Sequence, residues 1–446
     1  MSRPIALRIL LRVEKEGLYA APLLDRTLEH SRLSPLDKAL TTELVYGTLR
    51  WQGRLDAILS PFLRSPLQRM DPLLRGILRI SLYQLFFLDR IPAFAVVDEA
   101  VKLATSCSSP RQADFVNAIL RRIAEQRPSI GPPGPSSDPA HWVAYYSHPE
   151  ELIKKWIHDW GEEQAAALME ANNQIPELGL QVNAGKADPS TLLCALQGQV
   201  EQGEEGRLVP NFLRVRGLWG IRHSPPYRKG WFQIMDEGSA LIPHLLRPQP
   251  GEEILDACAG KGGKAALLAQ LMENRGRILA VDLNRKALQM LKENARRMGL
   301  FIIEPLCADV REAEALRGKR FPRILLDAPC SGLGTLRRHP EIKWRNPLAS
   351  LPRLRALQLS LLEAGASHLS ADGVLLYSTC SPEPEEDEEV IAEFLRSHAS
   401  LRVEDLSPYL PRPLPGLITP QGYLRTFPHR HRTDAFFAAR LRRCGP

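Results

Sequence analysis

With 446 residues, 44% of them hydrophobic and 24% charged, the chain has material for about three domains with cores of their own, which excludes a small disulfide-stapled fold and wholesale disorder. Seven cysteines form no CxxC pair, so a secreted disulfide framework and a zinc ribbon are excluded and reduced thiols in a cytosol are expected. The net charge of +7 gathers at the ends: 19 Lys+Arg against 13 Asp+Glu over residues 1–127, and 6 against 1 over residues 421–446. Such ends suit a polyanionic partner, or simply a solvated basic surface.

Residues 1–127 read as helices throughout. Leu74, Ile77, Leu78, Leu82 and Leu85 recur at helical spacing, a second helix is predicted from residue 36 through LDKALTTELVYGTLRWQGRLDAIL, and prolines at 61, 66, 72 and 92 cut the region into helix-sized pieces. Arg8, Arg12, Glu14 and Lys15 break up the first apolar stretch, and ISLYQLFFL at 80–88 falls far short of a bilayer span, so a soluble, cytoplasmic protein with no membrane contact is expected. Five prolines in RPSIGPPGPSSDPA predict a linker over residues 128–140. A small mixed α/β module over 141–235 follows, with two helices broken near Gly161 and the strand-like LGLQVN.

From residue 236 to 446 short apolar runs alternate with helical stretches: EEILDACAG, GRILAVD, FIIEPLCAD, FPRILLDAPC and DGVLLYSTC. That alternation predicts a doubly wound, Rossmann-like parallel sheet, whose ligand site lies beyond the carboxyl ends of its strands. The predicted strands end at Asp256, Asp282, Asp309, Asp327 and Cys380, all polar or reactive. After the first comes a glycine-rich loop, Cys258-Ala259-Gly260-Lys261-Gly262-Gly263-Lys264, in which backbone amides can approach a ligand, with Asp282 about twenty residues on for ribose hydroxyls. A nicotinamide cofactor and S-adenosylmethionine both fit that pattern.

Two cysteines separate them. Cys330 and Cys380 sit at neighbouring strand mouths, whereas Cys107, Cys194, Cys307 and Cys444 read as small buried apolar residues. Hydride transfer has no use for paired thiols. Carbon-5 methylation of a pyrimidine does, because a thiolate adding to carbon 6 turns carbon 5 into a nucleophile, and Lys264 or Arg337 is placed to lower the thiol pKa. Asp327 is placed to hold the ring while charge builds on nitrogen 3.

ILDACAGKGGK, AVD at 280–282, CAD at 307–309, DAPCSGLGTLRRHPEIKW and YSTCS resemble, in order, the motifs of RNA cytosine carbon-5 methyltransferases of the NOL1/NOP2/Sun type. VYGTLRWQGRLD, RGILRISLYQL and DFVNAILRR resemble a NusB-type helical RNA-binding domain, a combination similar to bacterial enzymes acting on 16S rRNA. The resemblance implies a NusB-like domain over 1–127, a methyltransferase domain over 236–446, S-adenosyl-L-methionine as cofactor, 16S rRNA as partner and no metal. It assigns Cys380 as nucleophile, Cys330 to product release and Asp327 to both base and cofactor. It gives Cys258 to Lys264 the methionine part of the cofactor, Asp282 the ribose hydroxyls and Asp309 the adenine amine, and GWFQIMDEGSALI at 230–242 resembles the helix that closes the cofactor pocket. Gly260 and Lys261 stand where the family's loop usually has alanine and proline.

Arg337, Arg338, Lys343 and Arg345, and Arg425, Arg430, Arg432, Arg440, Arg442 and Arg443, are expected to contact RNA phosphates, and the chain is expected to be a monomer. The acidic run 381–389 is expected at a helix N-terminus. A tRNA substrate, a non-catalytic rRNA-binding role and a nicotinamide-dependent dehydrogenase stay open.

Overall fold

A computed structural model describes residues 1–127, 130, 138–217 and 220–443. Most of the expected linker lies outside the described residues, as does Cys444, while its last two residues, 139 and 140, already open a helix. The chain forms two compact units, one of residues 1–174 with 336–347, the other of residues 175–335 with 348–446.

Among its described residues the first unit has helices and no strand: α1 (Ser2–Glu16), α2 (Ala20–Glu29), α3 (Pro35–Arg50), α4 (Gln52–Leu59), α5 (Pro72–Phe87), α6 (Ala93–Cys107), α7 (Pro110–Gln126), α8 (Pro139–Tyr146), α9 (Glu150–Trp160) and α10 (Glu162–Asn172). Prolines open helices where their missing N–H costs nothing. Pro35 follows the Ser34 cap and Pro72 the Asp71 cap, while Pro110 stands inside a capping box of Ser109 and Gln112. The α5 stripe Leu74, Ile77, Leu78, Leu82 and Leu85 is buried in the core of α1 to α7. The single helix predicted from residue 36 is two: Trp51 leaves helical geometry at ψ 15°, and its ring stacks on Phe87 at 5.0 Å. Gly47 lets α3 approach α5, since a Cβ there would lie 2.0 Å from the Tyr83 ring. Gly161, at φ 77°, parts α9 from α10 as expected.

Residues 336–347 leave the second unit and complete the first. The Lys343 amine, expected to meet RNA, is fully buried instead, donating to the carbonyls of Arg50 (2.9 Å) and Ser147 (2.8 Å) and to Asn173 Oδ1 (3.1 Å). Those three acceptors match the three donors of a lysine side chain. Likewise the Trp344 indole N–H donates to the Leu49 carbonyl at 2.8 Å, and the Arg337 carbonyl accepts from Arg50 at 2.9 Å. Lys343→Met is therefore expected to strand three buried acceptors and cost about 3 kcal/mol, read as a lowered urea midpoint in equilibrium unfolding.

The second unit opens with β1 (Leu178–Val182), α11 (Pro189–Ala195), β2 (Gln202–Glu205), β3 (Phe212–Arg216), α12 (Pro225–Arg228) and β4 (Phe232–Ile234). Its strands form an antiparallel sheet in the order β2-β3-β1-β4. Then follow α13 (Glu237–Leu246), β5 (Glu253–Asp256), α14 (Gly263–Leu271), β6 (Arg277–Asp282), α15 (Arg285–Met298), β7 (Ile303–Cys307), β8 (Phe321–Asp327), α16 (Leu351–Ser367), β9 (Leu369–Thr379), α17 (Glu388–Arg396), β10 (Leu401–Glu404), β11 (Leu424–Arg425), α18 (Pro428–His431) and β12 (Phe437–Arg443). The main sheet runs β10-β12-β9-β8-β5-β6-β7, with β11 paired to β12.

Strands β5 to β9 are parallel, in the doubly wound arrangement expected, but β12 pairs antiparallel with both β9 and β10, so the sheet is mixed. The apolar runs of β5, β6, β8 and β9 are buried on both faces, as covering helices require, whereas β7 at the sheet edge is half-buried to exposed. The strand order reverses between β5 and β8, which makes their carboxyl ends the crevice where ligands bind such sheets. No helix among the described residues is long and apolar enough to cross a membrane.

Candidate active site

At the crevice β5 ends on Asp256, and the chain turns through Ala257, Cys258, Ala259, Gly260, Lys261 and Gly262 into α14. Gly260 (φ 52°) and Gly262 (φ 78°) are left-handed, and a Cβ on Gly262 would sit 2.3 Å from Leu291. The turn is tied down from β6: Asp282 Oδ2 accepts from the Gly260 amide at 2.8 Å, and Asp282 Oδ1 accepts from the Asn284 amide at 2.7 Å. Lys261 is exposed. The third expected strand end differs by two residues, because β7 stops at Cys307 and Asp309 lies in the following turn, bound by Arg311.

Four carboxylates surround one thiol. Burial and then Asp256, Asp282, Asp327 and Asp309 push the Cys258 pKa up, so it stays protonated. Asp256 is buried with no ion-pair partner among the described residues, and burial together with Asp327 raises its pKa to about 7, against the pull of Lys264. An acidic pocket closed by a glycine turn fits a cofactor with cationic sulfonium and ammonium groups.

The raised pKa of Asp256 carries a sign. The folded state holds this proton up to about pH 7 while the unfolded chain releases it near pH 4, so stability falls as pH rises between those values. About 1.4 kcal/mol per unit sets an upper bound of about 4 kcal/mol. Asp256→Asn is expected to raise the melting temperature at pH 8 and leave it nearly unchanged at pH 4.

Beside the turn, the Lys264 amine is bonded to Asp327 Oδ2, while Ser378 Oγ donates to Asp327 Oδ1 at 2.8 Å. Burial works against charge on Lys264, but Asp327, and after it Cys380 and Asp256, outweigh it and raise its pKa. Of the two cations expected near the thiols, Lys264 therefore stands at the site. Arg337 belongs to the other compact unit.

Cys330, beyond β8, and Cys380, beyond β9, bring their sulfurs to 3.4 Å. The contact with Cys380 and then burial push the Cys330 pKa well up, so Cys330 holds its proton. The pair thus offers one thiol as a proton donor beside another next to a lysine.

The loops bearing them are stitched together. The Gly334 amide donates to the Cys380 carbonyl (2.9 Å) and the Ala435 amide to the Gly334 carbonyl (3.0 Å), and a Cβ on Gly334 would lie 2.2 Å from the Ala435 oxygen. Glu386, fully buried, accepts from the Ser331 amide (2.8 Å), the Ser331 hydroxyl (2.6 Å) and the Gln358 side-chain amide (3.1 Å). Thr379 Oγ1 donates to Asp387, which pairs with Arg425 at 3.2 Å.

The acidic run does open a helix, with Glu388 and Glu389 in the first turn of α17, yet Glu383, Glu386 and Asp387 turn inward to brace the cysteine loops. The sequence signal was the run's place directly after Cys380. Several C-terminal arginines expected at RNA are likewise structural. Arg425 pairs with Glu388 and Asp387, Arg440 and Arg442 with Glu404, and Arg432 with Glu177, while Arg443 donates to the Ala366 carbonyl. The Asp236 side chain caps α13 through the Gly238 amide (2.9 Å) and accepts from Thr433.

Residues 243–442 match the family described as 16S rRNA methyltransferase RsmB/F, residues 1–125 the NusB family, and residues 148–218 the RsmF/B-like ferredoxin-like domain. A probable ribosomal RNA small subunit methyltransferase B of Bacillus subtilis is 37% identical, covering 99% of both chains. A ribosomal RNA small subunit methyltransferase B of Pseudomonas syringae is 34% identical over 91% of this chain and 89% of its own. Among solved structures, PH0851 superposes with a TM-score of 0.83 at 27% identity, covering 99% of this chain and 98% of its own.

Proposed function

Since the chain belongs to the ribosomal RNA small subunit methyltransferase B family and itself matches the NusB and RsmF/B-like ferredoxin-like domains, we propose that it transfers a methyl group from S-adenosylmethionine to carbon 5 of a cytosine in 16S rRNA. The observation that carries the chemistry is the 3.4 Å Cys330–Cys380 sulfur pair at the mouths of adjacent strands, beside the Lys264–Asp327 ion pair.

Cys380, as thiolate, adds to carbon 6 and pushes the ring electrons toward carbon 5. Lys264 stabilises the thiolate charge, and the Asp327 carboxylate holds the ring in place by accepting from the 4-amino group of the cytosine. When bound, the cofactor supplies an electrophilic methyl group, which carbon 5 takes. Loss of the carbon-5 proton to a base then expels Cys380 and restores the aromatic ring. Cys330, held protonated, returns a proton to the departing sulfur. Because the target base must leave its stack, a loop or a partly folded rRNA is the expected substrate.

The test incubates unmodified 16S rRNA and bulk tRNA separately with the protein and labelled S-adenosylmethionine, then maps the label. Methyl transfer to a cytosine of 16S rRNA supports the reading. Transfer to tRNA alone keeps the chemistry and overturns the substrate, and transfer to neither overturns the enzyme.

A further inference from the structure

Whereas Arg425, Arg432, Arg440 and Arg442 are paired with carboxylates, α15 carries exposed cations whose side chains have neither a hydrogen bond nor an ion pair among the described residues. Arg285, Lys292 and Arg296 recur at i, i+7 and i+11, which sets them in one row opposite the buried Leu288, Leu291, Ala295 and Met298. At 1.5 Å per residue the row is about 16 Å long. Glu293, the only acid of the helix, stands beside the row and accepts from Gln289 at 2.8 Å.

This placement of charge works against the helix that bears it. Arg285 and Lys286 open the first turn, where the dipole favours acids and none is present, and Lys292 and Arg296 form a like-charged i, i+4 pair. An anion lying along this face relieves both.

The row continues past each end of α15. At the C-terminal end the antiparallel module is locked against the helix. Arg297 donates to the Phe232 carbonyl at 3.0 Å, Lys186 Nζ donates to the carbonyls of Lys229 (2.9 Å) and Arg297 (3.1 Å), and a Cβ on Gly230 would lie 2.1 Å from the Arg297 oxygen. Arg228 and Lys229, exposed and without an ion pair among the described residues, are thereby held next to the last turn, with Lys229 Nζ 5.7 Å over the Trp231 ring. At the N-terminal end the Asp282 carboxylate accepts from both the Gly260 and the Asn284 amide, so Lys261 and Arg285, the next residues in each segment, leave from one anchor at the rim of the crevice.

We propose that this row, from Lys229 along α15 to Lys261, binds the phosphate backbone of the substrate RNA and leads it to the crevice, a proposal that rests on the rRNA reading above. Unpaired cations repeated along a face match a polyanion whose charges also repeat, which a single phosphate or a lone carboxylate does not supply. Phosphate contacts fix the register of a strand without reading its sequence, so the row positions the RNA and leaves the choice of base to the crevice.

The test measures binding of unmodified 16S rRNA to the full-length protein over a series of KCl concentrations, without cofactor. It compares wild type, the triple variant Arg285→Gln, Lys292→Gln, Arg296→Gln, and a control triple variant Arg353→Gln, Arg396→Gln, Arg402→Gln. The control removes the same charge from exposed arginines on α16, α17 and β10, the last at the sheet edge opposite β7. The α15 variant is expected to bind about 10²-fold more weakly at about 0.1 M salt, with a log–log salt slope smaller by about 2 to 3, at about 0.7 to 0.9 per lost phosphate contact. The control is expected to stay close to wild type, and both melting temperatures to be unchanged. If the triple variant does not fold, Lys292→Gln alone is expected to reduce the slope by about 0.7 to 0.9. Equal losses in the two triple variants, or an unchanged slope in the α15 variant, overturn the track. Loss of binding to phosphatidylserine vesicles with rRNA binding intact overturns RNA as the partner. If rRNA is methylated while the α15 variant binds it as wild type does, the track alone fails. If the α15 variant alone loses rRNA binding while no RNA is methylated, the track is upheld and the catalytic reading alone fails.

Discussion

Cys380→Ser is expected to lower methyl transfer to 16S rRNA by more than about 10³-fold and to abolish protein–RNA adducts that survive denaturation. A serine hydroxyl beside Lys264 stays protonated at neutral pH and does not add to carbon 6. Cys330→Ser is expected to behave in the opposite sense for the adduct. Cys380 keeps its environment of Lys264 and the Gly334 amide, so addition and methylation proceed. The neighbour that returns the proton on departure is gone, so the adduct accumulates while turnover falls. Denaturing gels with labelled RNA, run in parallel with single-turnover methyl transfer, read both effects. Adduct in Cys380→Ser, or its absence in Cys330→Ser, would reverse the roles.

The next largest loss is expected for Asp327→Asn, about 10² to 10³-fold in kcat. Asp327 is the shared partner of Lys264 and Ser378. Its charge keeps Lys264 an ammonium in a buried setting that otherwise disfavours one. Asparagine retains the shape but removes the counter-charge, so Lys264 loses its proton at lower pH and ceases to stabilise a thiolate. The pH dependence of single-turnover methyl transfer is the discriminating readout. A purely structural role for Asp327 would lower the rate without moving the profile, whereas the electrostatic role shifts its alkaline limb to lower pH.

Much of this architecture was legible in the chain because its signals are local. Apolar spacing on α5, prolines at helix starts and the order of strand-ending acids each depend on a few neighbouring residues, and Asp256, Asp282 and Asp327 do end their strands. What escaped depends on partners far away in sequence. Antiparallel β12 carries no mark distinguishing it from a parallel strand, and Trp51 breaks a helix because of a contact with Phe87. Charge was the most misleading local signal. Lys343 and Arg440 look like RNA contacts until the carbonyls and carboxylates around them are seen, and Glu386 looks like a solvated acid until Ser331 is found against it. Three of the four aspartates end their strands as read, Asp309 lies two residues past β7 and Cys380 one residue past β9, because the parallel sheet defines the position of a strand mouth but not its last residue.

The excursion of residues 336–347 into the first unit bears on how such a protein can be divided. Its two compact bodies are not beads on a string: the polypeptide passes from one to the other more than once, and the second body donates a dozen residues to the first. A cut after the N-terminal helices yields a fragment missing the Lys343 plug and a remainder carrying an unsheltered lysine and tryptophan. Recombining these bodies between relatives therefore requires exchanging two separate stretches together. In evolutionary terms, the helical body of residues 1–174 and the distant segment 336–347 form one heritable unit, and they are expected to vary in concert.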